Sequence, residues 1–150
     1  MEREPDIDIA EEHLPVAAVA TAVPLGELGV IFAGGFIGAV VRAGFSQALG
    51  PASDSWPWPT FGVNIVAAAL LGYAIAWLGE HHPRTLRARA FLATGLCGAL
   101  STFSTVTIEL IHLREHAGLG LACGYGAASI AGGLIAVTAG VRLGSHREAP

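Results

Sequence analysis

Lysine is absent from this chain of 150 residues, so all eight of its basic residues are arginine. Charge of either sign is scarce: Asp, Glu, Lys and Arg make up 13% of the residues, where an ordinary soluble domain carries about 25%. That shortage excludes a charged outer surface of the usual kind. The arginines form no basic stripe, so nucleic acid is not an expected partner. Cysteine is limited to Cys97 and Cys123, both inside apolar stretches, which argues against a disulfide framework and makes each a small packing residue. The six histidines lie in tails and loops or, for His112, near the end of an apolar stretch, without the spacing of metal ligands. No nucleophile, base and orienting residue converge along the chain, so it is not expected to be an enzyme.

Apolar residues make up 53% and gather in four runs: roughly residues 28–49, broken only by Arg42, then 61–78, 90–108 and 117–141. Each is about long enough to cross a hydrocarbon core of roughly 30 Å as a helix, which takes around 20 residues. A soluble four-helix bundle would show polar outer faces at the helical period, and none of the four runs does. The fold class that follows is an all-α membrane protein with four transmembrane helices set in lipid. Its expected organisation is an acidic N-terminal tail over residues 1–27, a four-helix membrane domain over 28–143 and a short tail over 144–150. Six of the twelve acids crowd into the first twelve residues, so the N-terminal tail is expected to be solvated, disordered and unlike a secretory signal.

With four spans, both tails and the middle connection share one side of the membrane. That side holds Arg84, Arg87, Arg89, Arg142 and Arg147, and the other holds only Arg42 and Arg114. The positive-inside rule then places both termini in the cytoplasm of a multi-pass plasma-membrane protein. Trp56, Trp58 and Trp77 flank the second run and suit an interfacial aromatic belt. Gly34 and Gly38, Gly120 and Gly124, and Ser129 and Gly133 are each four apart, a spacing that lets helix backbones approach closely in lipid. Four short spans enclose little alone, so a dimer or higher assembly is expected.

The polar residues inside the runs need partners or a wet path, because an unsatisfied polar group in hydrocarbon costs several kcal/mol. Arg42, near the end of the first run, either snorkels to the headgroups or has an interior structural role. Asn64 could hold helices together or donate hydrogen bonds to something crossing the bilayer. The third run contains "GLCGALSTFSTVTIE", with five hydroxyls in the seven residues from Ser101 to Thr107. Back-bonding to helix carbonyls accounts for one or two of them but not for five. Gly95 and Gly98 point to an interruption near Gly98–Ser101 that frees carbonyls, followed by a stripe of Ser101, Thr105 and Glu109. Tyr125 and Ser129 add two hydroxyls to one face of the last run. Such donors, with the positive ring edge of Phe103, suit a small, strongly hydrated anion.

These residues match a known pattern: the chain resembles the Fluc (CrcB) fluoride channels. The resemblance rests on "GALSTFST" followed by Glu109, on "GGFIGAVVR" in the first run and on "TFGVN" with Gly72 in the second. Tyr125 and Ser129 fall where the family keeps a Tyr and a Ser, and the likeness runs from about Gly34 to Gly140. It implies an antiparallel, dual-topology dimer that passively exports fluoride from the cytoplasm and so lowers fluoride toxicity. It also implies a pore lined by Asn64, Phe103, Ser104 and Thr105, with Tyr125 and Ser129 beside it. Arg42 and Glu109 take structural or vestibular places, and a structural, untransported sodium ion is held by the backbone carbonyls of Gly98 and Ser101. The chain departs from the family at Val106, where a second pore phenylalanine is usual, at Ala43 and at Ala67. A small four-span proton-coupled exporter is the alternative; it needs a carboxylate in the middle of a span, and Glu27 lies at the edge of the first.

Val106 and the arginine asymmetry suit a chain of fixed orientation that pairs with a homologous subunit rather than with its own copy. Reconstituted alone into fluoride-loaded liposomes, such a chain is expected to release little fluoride until the partner is added. Full release from the chain alone would instead identify a homodimer.

Overall fold

The computed structural model describes residues 24–49, 55–81 and 85–145. Most of the acidic tail, Arg84, Arg147 and residues 146–150 lie outside that set. Helix α1 spans Leu25–Leu49 and α2 spans Trp58–His81. The third span, Leu86–His116, is composite. It begins with α3 (Leu86–Arg89), widens into a π-helical stretch (Ala90–Cys97), closes with one turn of α4 (Gly98–Leu100) and restarts as α5 (Phe103–His116). The fourth span is α6, Leu119–Ser145. All four spans are long and apolar enough to cross a membrane. The first helix thus begins at Leu25 and the last ends at Ser145.

Local chemistry sets the ends. Pro24 precedes α1, where its carbonyl accepts from Glu27 N–H (2.7 Å) and Leu28 N–H (3.2 Å). Glu27 itself sits in the first turn, beside the positive end of the helix dipole. Pro59 falls in the first turn of α2, where a missing N–H costs nothing. Between α5 and α6 the chain reverses within Ala117–Gly118. Gly118 takes a φ of +96°, a left-handed conformation that a side chain would strain.

The helices meet as backbones rather than as side chains. At Gly140 an added Cβ would strike the Ala69 carbonyl oxygen and approach Tyr73 N to 2.9 Å, and Gly72 presses in the same way on Val137. These contacts fuse α2 to α6. Gly34 and Gly38 do the equivalent between α1 and the third span, against Phe91, Leu96 and Leu100. Of the pairs singled out by spacing, only this one packs within the chain. Gly120, Gly124 and Gly133 would meet nothing within 4 Å. Large apolar residues such as Phe32, Phe36, Ile130 and Leu134 point outward, as lipid requires. Trp56 does more than mark an interface, since its ring packs edge-on against Tyr125 at 5.5 Å.

Three expectations shift. Gly98 is helical (φ −63°, ψ −35°), and the interruption falls at Ser101 (ψ 153°) and Thr102 (φ −145°, ψ 119°). Ser101, Thr105 and Glu109 therefore do not form one helical stripe, because the break separates Ser101 from the other two. His116 belongs to α5, so His112 and His116 share one helix at i, i+4 spacing after all.

A Gly140→Val substitution is expected to lower stability by about 1–3 kcal/mol, the usual cost of overpacking. Gly133→Ala is expected to change it little. Unfolding of the detergent-solubilised protein measures both.

Candidate functional site

The break in the third span is held by one side chain. Asn64 Nδ2 donates to the Thr102 carbonyl (3.2 Å), and Thr102 N–H donates to Asn64 Oδ1 (2.8 Å). The amide thereby imitates a neighbouring strand, pairing both backbone groups of a residue that no helix can pair. One N–H of the amide remains for another acceptor.

Thr102 also caps α5. Its Oγ1 accepts from Thr105 N–H (3.2 Å) and lies within hydrogen-bond distance of Thr105 Oγ1 (2.9 Å) and Ser104 Oγ (3.2 Å). Three hydroxyls thus meet at the positive end of a fourteen-residue helix. The first amides of α5, at Phe103 and Ser104, have no intrahelical partner. Ser101 and Thr107 follow the ordinary pattern instead, donating to the Cys97 and Phe103 carbonyls four residues back (3.1 and 3.0 Å).

The backbone carbonyls change as well. In an uninterrupted helix the Gly98 carbonyl would accept from Thr102 and the Ser101 carbonyl from Thr105. Both amides are diverted, to Asn64 Oδ1 and to Thr102 Oγ1. The two oxygens are left free of the helical ladder, on residues that are exposed on the chain.

Beside the break runs a groove of about 330 Å³, lined in part by Asn64, Ser101, Thr102, Phe103, Val106 and Ser129. Phe103 is 86% exposed, and Ser129 Oγ is buried without a hydrogen-bond partner. Val106 lines the groove and packs into the core with Leu113, Ala122 and Tyr125. Tyr125 is not among the residues that line the groove. Fully buried, it donates through its hydroxyl to Glu109 Oε2 (2.6 Å), while Thr60 Oγ1 donates to Glu109 Oε1 (2.5 Å). Glu109 thus sits buried between two hydroxyls. Arg42 lies apart on α1, half-buried, its Nε without a partner.

Thr60 and Thr102 lie within the quoted runs "TFGVN" and "GALSTFST", but neither carries an expected role of its own. A Thr just past an apolar turn and three residues before Thr105 carries the signature of an N-cap, which could have marked Thr102. Nothing local shows what Thr60 pairs with, because its partner is 49 residues away.

The sequence profile described as "CrcB-like protein, Camphor Resistance (CrcB)" matches residues 29–141. The chain belongs to the CrcB family. Among its relatives is a "Fluoride-specific ion channel FluC 1" of Mycolicibacterium paratuberculosis, 47% identical over 117 residues, covering 78% of this chain and 89% of the relative. The protein of the same description from Mycobacterium bovis is 49% identical over 111 residues, covering 74% and 84%. A "Fluoride-specific ion channel FluC" of Bacteroides fragilis is 36% identical over 124 residues, covering 80% and 97%. The match takes in all four spans, and this CrcB chain is a multi-pass membrane protein.

Removing one hydroxyl from Glu109, by Thr60→Val or Tyr125→Phe, is expected to cost about 1–3 kcal/mol. The double variant should be worse than the sum, since it leaves the carboxyl buried and alone. A double-mutant cycle on unfolding in detergent measures this.

Proposed function

We propose that the chain is a subunit of a fluoride-selective channel through which fluoride leaves the cytoplasm passively. The observation that carries this reading is the capped start of α5, exposed at a helix break within a membrane span of a CrcB protein. A helix N-terminus favours an anion. Around it stand neutral donors: the Ser104 and Thr105 hydroxyls beside the cap, and the second N–H of Asn64 in the groove's wall. Phe103, beside them, offers a ring edge of partial positive charge. Arginine does not line the groove. Neutral donors replace part of an ion's water shell without binding it so tightly that it cannot leave. A small, strongly hydrated anion gains most from several such donors, which favours fluoride over chloride.

The groove lies on the outside of the chain, and a second subunit would supply its other wall. The partner is a copy or a homologue inserted in the opposite orientation, as the family resemblance implies. The released carbonyls of Gly98 and Ser101 fit a sodium ion, since hard cations take neutral oxygen ligands, and two subunits would bring four such oxygens together. The ion would supply a fixed positive charge that ties the two breaks to each other. Here the chain's own contribution is to hold those oxygens out of the helical ladder, which Asn64 and Thr102 do.

Liposomes loaded with fluoride and read with a fluoride electrode test the proposal. The wild-type channel is expected to release fluoride and retain chloride. Asn64→Asp should abolish release, because it replaces a donor by a negative charge and deprives the Thr102 carbonyl of its partner. Equal release of chloride would remove the selectivity claim, and full activity of Asn64→Asp would remove this groove as the path.

A further inference from the structure

The groove at the break does not stop at its own walls. Leu110 and Gly126 line it, and the same two residues line a second hollow of about 250 Å³ between α5 and α6, walled further by Ile111, Arg114, Ala122 and Cys123. The two hollows are therefore one trench. Gly126 keeps their junction open, because an added Cβ there would come within 3.4 Å of the Leu110 Cδ2 methyl. Helices α5 and α6 run antiparallel from the turn at Gly118, so the trench has its inner end at Phe103 and its outer end at Arg114. From Phe103 to Arg114 the helix rises about 16 Å. That is half of a hydrocarbon core of roughly 30 Å.

Among the described residues lining this trench, Arg114 alone is charged, and its side chain is exposed. Glu109 is buried between Thr60 and Tyr125, and Glu115 does not line the trench. The C-terminal end of α5 brings about half a negative charge, which a full guanidinium charge outweighs.

We propose that Arg114 is the anion-recruiting residue at the mouth of this trench, the entry from the membrane surface to the break. The proposal rests on the fluoride-channel reading above. A cleft with low-dielectric walls focuses the field of a charge and raises the local concentration of the opposite ion. The apolar outer walls leave the ion its water, and the donors at the break take over further in. One charge at the mouth thus speeds entry while the inner path keeps neutral donors, from which an ion can leave.

Cys123 supplies the probe, since it is exposed and shares the lining with Arg114, whereas Cys97 is buried. The full-length protein in detergent is treated with a methanethiosulfonate bearing either a sulfonate or a trimethylammonium group, and adducts are followed by mass spectrometry, with Cys123→Ala to identify the site. At low ionic strength the ratio of the anionic to the cationic labelling rate is expected to fall at least about threefold in Arg114→Gln, and this contrast should shrink in high salt. Taking the ratio cancels any change in the reactivity of the thiol itself. Arg142→Gln, at the far end of α6, should leave the ratio unchanged. An unchanged ratio in Arg114→Gln, or a Cys123 that does not react in the folded protein, would overturn the mouth. In fluoride-loaded liposomes, with the homologous subunit added where the chain alone is silent, Arg114→Gln is expected to slow release at low ionic strength and to approach wild type in high salt. Equal release at low ionic strength would overturn the role of Arg114. No release from wild type, with or without the partner, would instead remove the channel reading, and with it the recruitment of fluoride, even where the labelling contrast holds.

Discussion

The pairing of Asn64 with Thr102 is the contact on which the rest of this structure depends. A helix that breaks inside a bilayer exposes amides and carbonyls that no water can satisfy, at a cost of several kcal/mol for each group. One carboxamide pairs both backbone groups of Thr102 and so makes an extended residue affordable at membrane depth. Everything useful at the groove follows from that substitution of a side chain for a helical turn. The start of α5 becomes an end, with a dipole and orphan amides, and the carbonyls of Gly98 and Ser101 leave the ladder.

Helix α2 supplies this support twice. Thr60 and Asn64 are four residues apart and so lie on one face of α2, and they reach Glu109 and Thr102 on the third span. The lower number pairs with the higher, as antiparallel helices require. Two polar contacts at different depths set the register of α5 against α2, while Tyr125 ties the same carboxyl to α6. Close backbone contact through Gly72, Gly140 and Gly144 then locks α2 to α6, and Gly34 and Gly38 seat α1 against the π-helical stretch. Packing without bulky side chains is what lipid demands, because hydrophobic burial provides little drive between helices there. The break is therefore embedded in a frame that cannot slide.

A division of labour among the hydroxyls resolves their abundance. Ser101 and Thr107 are spent on their own helix, Thr60 and Tyr125 on Glu109, and Thr102 on the cap. Ser104 and Thr105 gather around Thr102 Oγ1 at the start of α5, and Ser129 stands in the groove's wall with its hydroxyl buried. The carboxyl and the capped helix start are thus kept apart: Glu109 lies in one buried cluster, and Thr102 with its neighbours forms another.

How much of this was legible in the letters depends on the range of each interaction. Four spans, their order and the presence of an interruption in the third were readable, because hydropathy over about 20 residues and a run of hydroxyls after glycines are local signals. The place of the break was legible only to within a few residues. Gly98 has the conformational freedom, yet it stays helical, and the chain opens at Ser101 and Thr102 because Asn64 waits there on another helix. Likewise Tyr125 does have Ser129 beside it, as the helical spacing implies, but its donation to a carboxyl 16 residues earlier was not legible. The sequence by itself determined that this chain crosses a membrane four times and must find partners for its polar residues. Only the tertiary structure decided which partner each one takes, since a hydrogen bond between residues 38 or 49 positions apart is set by how helices cross, not by what stands beside each residue in the chain.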